Sequence, residues 1–432
     1  MSVLHDLLDG VRLPRMAPVR QVFETESVAD VAAAVGAEFA KPEVAATIMA
    51  DAEIAVAVGS RGLNRLADLV AATVAELKKL GARPFVVPAM GSHGGAVAEG
   101  QTRILANLGV TEASAGCPIR SSMDTVEVGR LANGLPVCMD RLAMAADGIV
   151  VINRVKPHTS FSADYESGLV KMISIGLGNQ VGAESCHALG FGEMARSIVD
   201  MAEMKLAKTP IVLGLASIEN AYDKISRVVA LPAGEIMAAE PALLVEAKAK
   251  MPRILFDPLD VLIVDRIGKE FSGTGADPNI TGKAGTPYVK LSQRVAKMAF
   301  LDLTAKSGGN ATGVGLADIC TRRLVDKIDF VATYANPLTS TVLTSAKIPM
   351  TMETDRLAIQ GCIKTCNAPD LGNVRLVRLV NTLDIETILV SEVLLDEAAA
   401  NPAVEILGEA RELAFDAAGN LTDIGGFQRQ AA

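Results

Sequence analysis

The sequence predicts an α/β protein of two domains, each a mostly parallel sheet flanked by helices. Three observations lead there. Short uninterrupted apolar runs alternate with longer amphipathic stretches, the pattern of strands buried on both faces and joined by helical crossovers. At 432 residues the chain exceeds the size at which one hydrophobic core keeps growing. Half of its residues are apolar, yet only 3% are aromatic and none is tryptophan. Ala, Val, Leu and Ile must therefore fill the interior, which suits helices packed on a sheet.

EIAVAVGS (53–60) reads as a buried strand ending in a turn, and LNRLADLVAATVAELKKLG (63–81) as a helix that Gly81 stops. RPFVVPAMGS (83–92) is the next strand and AEGQTRILANLG (98–109) the next helix. TVEVGRLANGLPVCMD (125–140) alternates as a hairpin does and turns at Asn133–Gly134. DGIVVINRV (147–155) and TPIVLGLASI (209–218) are further strands, and AEPALLVEAKAKM (239–251) a helix. Two prolines then precede a fresh buried strand at DVLIVD (260–265), which sets a domain boundary near residue 252. Beyond it, AKMAFLDLT (296–304), VRLVRLV (374–380) and ETILVSE (386–392) read as strands, with a helix expected near GLADICTRRLVDKID (315–329). The expected organisation is an N-terminal domain over 1–252, a C-terminal α/β domain over 253–392, and a tail over 393–432 that is helical around VEILGEARELAF (404–415).

Forty-one basic against fifty acidic residues give a net charge of −9. That balance argues against nucleic acid or an anionic membrane as a partner, since both call for a basic face. The six cysteines are scattered without a CxxC pair or zinc-ligand spacing, as reduced, buried thiols of a cytoplasmic protein would be. The charged N-terminal stretch MSVLHDLLDGVRLPRM does not read as a signal peptide, and no apolar run approaches the ~20 residues of a membrane span.

Chemistry is expected where the glycines cluster. In open α/β sheets, ligands bind outside the carboxyl ends of the strands, where glycine-rich turns let backbone amides face an anion. Two successive strands end in such turns, GSRG (59–62) and GSHGG (91–95), which put Ser60, Arg61, Gly62, Ser92, His93 and Gly94 at one sheet edge. Singly, each turn is also an ordinary strand-to-helix connection. The next strand runs into KPHTSF, so His158 emerges at the same edge. The chain has only four histidines, and His93, His158 and His187 all fall in or beside these loops. Imidazoles exchange protons near neutral pH, and two of them can serve opposite faces of one carbon. Lys171 offers an amine and His187 a metal ligand. Fragments of dinucleotide fingerprints, GLGNQVG (176–182) and GVGLAD (313–318), lack the order of strand, GxGxxG and later acid.

At these residues the chain resembles the nickel-pincer lactate racemase family. The matching elements are Arg61 in GSRG, His93 in GSHGG, His158 in KPH, Lys171 in ESGLVK and His187 in ESCH. The resemblance covers about 50–190, and the second domain by architecture alone. It implies that His93 and His158 are the catalytic acid/base pair and that His187 ligates nickel. It implies that Lys171, with Ser60, Arg61, Gly62, Ser92 and Gly94, holds the cofactor, a pyridinium-3,5-bisthiocarboxylic acid mononucleotide carrying nickel. Arg61 would also meet the substrate carboxylate, and in the second domain Lys283, Asn279 and Thr281, with Lys269 as a competitor, would face the substrate from the loop 265–283, so that the active site lies in the interdomain cleft.

The implied reaction is racemisation or epimerisation of a 2-hydroxy carboxylic acid by proton-coupled hydride transfer, with cofactor-synthesis enzymes needed for maturation and a homo-oligomer left open. The chain departs from the family where Val58, Gly59 and Ser60 stand for its usual Asp and Thr, and where SADYESGLV replaces a Ser-Gly-Gly run. Those departures point to a larger or more polar hydroxy acid than lactate, with Asp164, Tyr165 and Glu166 either near the pocket or solvated. Two other readings stay open: an anion- or nucleotide-binding α/β protein without turnover, and a nicotinamide-dependent dehydrogenase, which the missing fingerprint disfavours.

Overall fold

The computed structural model describes residues 3–60 and 63–425. It divides into two compact units, one spanning Glu24–Met251 and the other combining the residues up to Phe23 with those from Pro252 on. One division falls between Met251 and Pro252, and the segment up to Phe23 belongs with the residues from Pro252 on. Strand β1 (Met16–Gln21) pairs with strands formed by the last third of the chain.

In the 24–251 unit, strands β2 (Glu53–Val58), β3 (Arg83–Pro88), β6 (Gly148–Arg154) and β7 (Ile211–Glu219) are parallel, and β8 (Ile225–Pro232) adds an antiparallel edge. The sheet order is β3-β2-β6-β7-β8. Both faces of β2 are covered: Ile54, Val56 and Val58 enter one core with Leu69 and Leu77, while Ala55 and Ala57 enter the other with Val151 and Ile173. This is why the run is continuous rather than alternating, and each fully buried Val, Leu or Ile contributes about 1.5–3 kcal/mol. A separate hairpin joins β4 (Thr125–Arg130) to β5 (Pro136–Asp140), with Gly134 at φ +85° in the turn, as read from the sequence. The hairpin partner β8 was not foreseen.

The second sheet has the order β12-β11-β10-β9-β13-β14-β1-β15. Strands β9 (Leu259–Ile267), β10 (Val295–Leu303), β11 (Ile319–Thr321), β12 (Met350–Met352) and β13 (Leu376–Leu379) run parallel. Strands β14 (Thr387–Ser391), β1 and β15 (Val404–Ile406) extend it antiparallel. Two expectations are corrected here. The helix expected over 315–329 is strand β11 followed by only a one-turn helix, Arg322–Val325, because Ile319 and Cys320 fill a buried slot beside β10. Among its described residues the tail is α-helical only over Leu395–Ala400, and 404–415 instead edges the sheet through β15 and an isolated bridge from Arg411 to Met16.

All six cysteines are free and buried. No helix among the described residues is long and apolar enough to cross a membrane.

Candidate active site

Chain order fixes where a ligand can enter the 24–251 unit. From β2 the chain moves outward to β3, returns past β2 to β6, and continues outward to β7. The connections leaving the carboxyl ends of β2 and β6 therefore diverge, which opens a crevice at the switch point of the sheet. The loop after β2 carries Ser60, the loop after β3 carries His93, and the loop after β6 carries His158.

Ser60 and His93 meet directly, the hydroxyl of one hydrogen-bonded to Nδ1 of the other. The loop bearing His93 is held down by Gln101, whose Nε2 donates to Gly91 O at 3.0 Å, and by Gly91 N donating to Gly176 O at 3.2 Å. Gly91 has φ +59°, and a Cβ there would lie 3.3 Å from Ala183 Cβ, so this loop rests on the segment that leads to His187. Ser92 is half-buried in the same loop, and Gly94 packs its α-carbon against the backbone of Gly100 and Gln101, a turn-forming role. Arg61 and Gly62 lie outside the described residues.

Lys171 sits on a short helix, Leu169–Ser174, that two buried charged residues clamp end to end. Glu240, 1% exposed, accepts from Val170 N at 2.9 Å at the helix start. Lys205, wholly buried, donates to the carbonyls of Ile173 and Ser174, both at 2.9 Å, at its end. Each satisfies backbone groups that a helix terminus leaves orphaned. Burial pushes the Glu240 carboxyl up to about 7 and the Lys205 ammonium down to about 7. Asn153, near the end of β6, ties this helix to the sheet by donating to Gly168 O at 2.6 Å.

His187 ends the helix Asn179–His187 and donates from Nδ1 to Ala183 O at 2.7 Å. In the neutral ring its Nε2 then carries the lone pair. Burial lowers its pKa, the Ala183 carbonyl opposes this, and the nearby charge of Lys171 lowers it further. Both effects favour the neutral, ligating form. Phe191 links His187 to His158: its ring centroid is 6.0 Å from the first and 5.9 Å from the second. His158 also lies 4.5 Å from the Phe161 ring, its N donates to Glu166 Oε2 at 2.6 Å, and its Nδ1 accepts from Ser160 N at 3.0 Å.

These contacts join Ser60 to His93 and, through Phe191, His187 to His158, with Lys171 near enough to His187 for its charge to act there. The second-unit candidates behave differently. Lys283 donates to Ala296 O at 3.1 Å and pairs with Asp318 at 3.1 Å, which places it at the amino ends of β10 and β11. Thr281 is fully buried, and Asn279 bonds Asp277 within the turn that starts a one-turn helix. Lys269, which follows β9, is the one at a carboxyl end, donating to Gly273 O at 2.7 Å.

The sequence reading missed Glu166, Glu240 and Lys205 as supports. Glu166, weighed as a pocket or solvated residue, is 1% exposed and anchors the His158 loop while pairing with Lys248 at 2.6 Å. Tyr165 donates to Met237 O at 2.6 Å, and only Asp164 of that trio is exposed. A signal for two of them existed. Lys205 falls on the stripe Met194, Ile198, Met201, Ala202, and Glu240 between Ile236 and Leu243, Leu244, Ala247, so each is a charge placed on the buried face of its helix.

Residues 13–197, which contain every first-domain candidate, match the family described as the lactate racemase N-terminal domain. Among solved structures, the lactate racemase apoprotein from Thermoanaerobacterium thermosaccharolyticum is similar at 13% sequence identity and TM-score 0.49, over 78% of this chain and 88% of that one. No curated protein matches the chain in sequence. The strands, loops and helices that carry His93, His158, Lys171 and His187 all fall within residues 13–197, the part of the chain that is similar to a lactate racemase N-terminal domain.

Proposed function

We propose that the protein is a racemase or epimerase of a 2-hydroxy carboxylic acid that works with a nickel-pincer nucleotide. The observation that carries this is the grouping at one sheet edge of His93 on Ser60, His158 on Glu166 and Ser160, and His187 beside Lys171. Among the described residues no three His, Cys, Asp or Glu side chains gather to hold a metal ion by themselves. A single imidazole with its lone pair on Nε2 suits a metal that arrives with its other ligands, which is how a pincer cofactor presents nickel.

In this reading His187 ligates the metal. Lys171 holds the nucleotide, by charge or by a covalent bond, with Ser60, Arg61, Gly62, Ser92 and Gly94 around its phosphate. When bound, the cofactor would supply a hydride acceptor and donor for C2 of the substrate. The protein's own groups manage the proton: His93 and His158 bind the C2 oxygen, and the hydroxyl proton is held by an imidazole while the carbon is trigonal. Arg61 pairs with the substrate carboxylate, a planar acceptor that suits a guanidinium. The setting is cytoplasmic, with the cofactor supplied by its synthesis enzymes.

The test is expression beside those synthesis enzymes, followed by incubation with enantiopure 2-hydroxy acids and chiral chromatography. Appearance of the opposite C2 configuration with a nickel-loaded protein is expected. A protein that takes up neither nickel nor nucleotide, and leaves every acid unchanged, would overturn the reading.

A further inference from the structure

The two catalytic histidines are served by chemically different partners. The partner of His158 Nδ1 is the backbone N–H of Ser160, at 3.0 Å. A backbone amide can only donate, so Nδ1 must present its lone pair, and the one ring proton of the neutral imidazole is on Nε2. The other tautomer, like the imidazolium, would set N–H against N–H. The ring is also hemmed in: Phe161 lies at 4.5 Å and an interplanar angle of 34°, and Phe191 at 5.9 Å and 42°. Its own backbone N is pinned by Glu166, whose side chain is wholly buried and paired with Lys248. Turning the ring over would take Nδ1 away from Ser160 N and break that bond.

The partner of His93 Nδ1 is the hydroxyl of Ser60. A hydroxyl rotates and serves as donor or acceptor. It accepts from an Nδ1–H and donates to a bare Nδ1, so His93 is supported in every protonation state. His93 also lies on an exposed glycine loop, with Gly94 at φ +74° and Gly95 at φ +70°, where ring motion is less restricted.

We infer that the pair is not symmetric: His158 is a fixed Nε2–H donor to the C2 oxygen, and His93 alone takes and returns the hydroxyl proton. This rests on the racemase reading above and refines it. The proton leaves the C2 hydroxyl for His93 Nε2, whose Nδ1–H then donates to Ser60. It returns to the same oxygen by the same route, while His158 keeps its own proton throughout. Both enantiomers then use one base, and inversion comes from the trigonal carbon presenting its other face, not from exchanging the roles of two bases.

The experiment uses full-length protein labelled with nitrogen-15 in its histidines. Four histidines give few enough signals to assign each by its loss in a His→Gln variant. Two-bond nitrogen–proton correlation spectra of the cofactor-free protein, at about pH 8 where unperturbed imidazoles are neutral, report the tautomer of each ring. His158 is expected as the Nε2–H form, and a proton on its Nδ1 would overturn the inference. In the loaded enzyme, His158→Ala should lose about 10²–10³-fold in kcat, the effect of removing one donor to a developing oxyanion. His158→Gln should recover at least a tenfold part of that, because its amide N–H donates from a similar position, whereas His93→Gln should show no recovery over His93→Ala. Equal recovery at both positions, or at neither, would refute the asymmetry. If the spectra are as expected but no hydroxy acid is converted by the loaded protein, the racemase reading fails, and with it the role, leaving the tautomers in place.

Discussion

Replacing Glu240 with glutamine isolates the cost of keeping a carboxylate inside the helix clamp. Glu240 is 1% exposed, its Oε2 accepts from Val170 N, and its Oε1 makes no hydrogen bond among the described residues. Burial moves the carboxyl from its usual 4.5 to about 7 in the folded protein. Between those values the folded state binds the proton more tightly than the unfolded chain, so wild-type stability falls as pH rises through the window. The full loss is reached above about pH 7. The interval corresponds to about 3 kcal/mol at 1.36 kcal/mol per unit. Glutamine keeps the acceptor for Val170 and has no proton to lose. The stability difference between Glu240→Gln and wild type should therefore move in favour of the variant by about 3 kcal/mol between pH 4.5 and pH 8. Urea unfolding followed by far-ultraviolet circular dichroism at the two pH values measures it, and all other titrating groups cancel in the difference. A gap that stays constant across the window would refute the assignment of a buried, partly unsatisfied carboxyl at the start of the lysine helix.

Lys205→Met removes two donors from the carbonyls of Ile173 and Ser174 in a fully buried site, and should cost about 2–4 kcal/mol. Because the folded lysine titrates near 7 instead of 10.5, the unfolded chain binds more protons between those values. Wild type gains stability as pH rises through them, so the deficit of the variant should be larger at pH 9 than at pH 7 in the same urea experiment. His187→Ala should reduce nickel retained after loading to the background of unloaded protein, measured by atomic emission, while the fold, read by circular dichroism, is unchanged. In the second unit, Arg378 is wholly buried and grips Asp265 through two bonds of 2.8 and 2.9 Å. Arg378→Met should destabilise that unit by about 3–5 kcal/mol by leaving Asp265 buried without its cation, seen as an earlier urea transition.

The parts of this molecule that were readable in the sequence share a cause. Strands such as 53–58 and 260–265 are buried on both faces, so their apolar runs are unbroken, and the glycines that end them mark the sheet edge where His93 and His158 emerge. Scarcity made the histidines conspicuous. What stayed hidden depends on partners far along the chain. Strand β8 alternates weakly because it is a sheet edge, and β11 is three residues long with its support in β10 and β12. Glu166 finds Lys248, and Val170 finds Glu240, some seventy to eighty positions away, so a local reading takes these charges for solvated ones. The Lys283 segment leaves the end of β9 and runs back to the amino ends of its neighbours, a path that no local pattern shows.

Strand β1 has a consequence for how the protein is made. It leaves the ribosome long before the two strands that flank it, β14 and β15, which come from residues 387–391 and 404–406. At about 5–20 residues per second, it waits on the order of tens of seconds for them. During that interval the contiguous 24–251 unit, with the histidine site entire, has everything it needs to fold. The other unit cannot close its sheet until the tail arrives and takes up a strand synthesised before the other described ones.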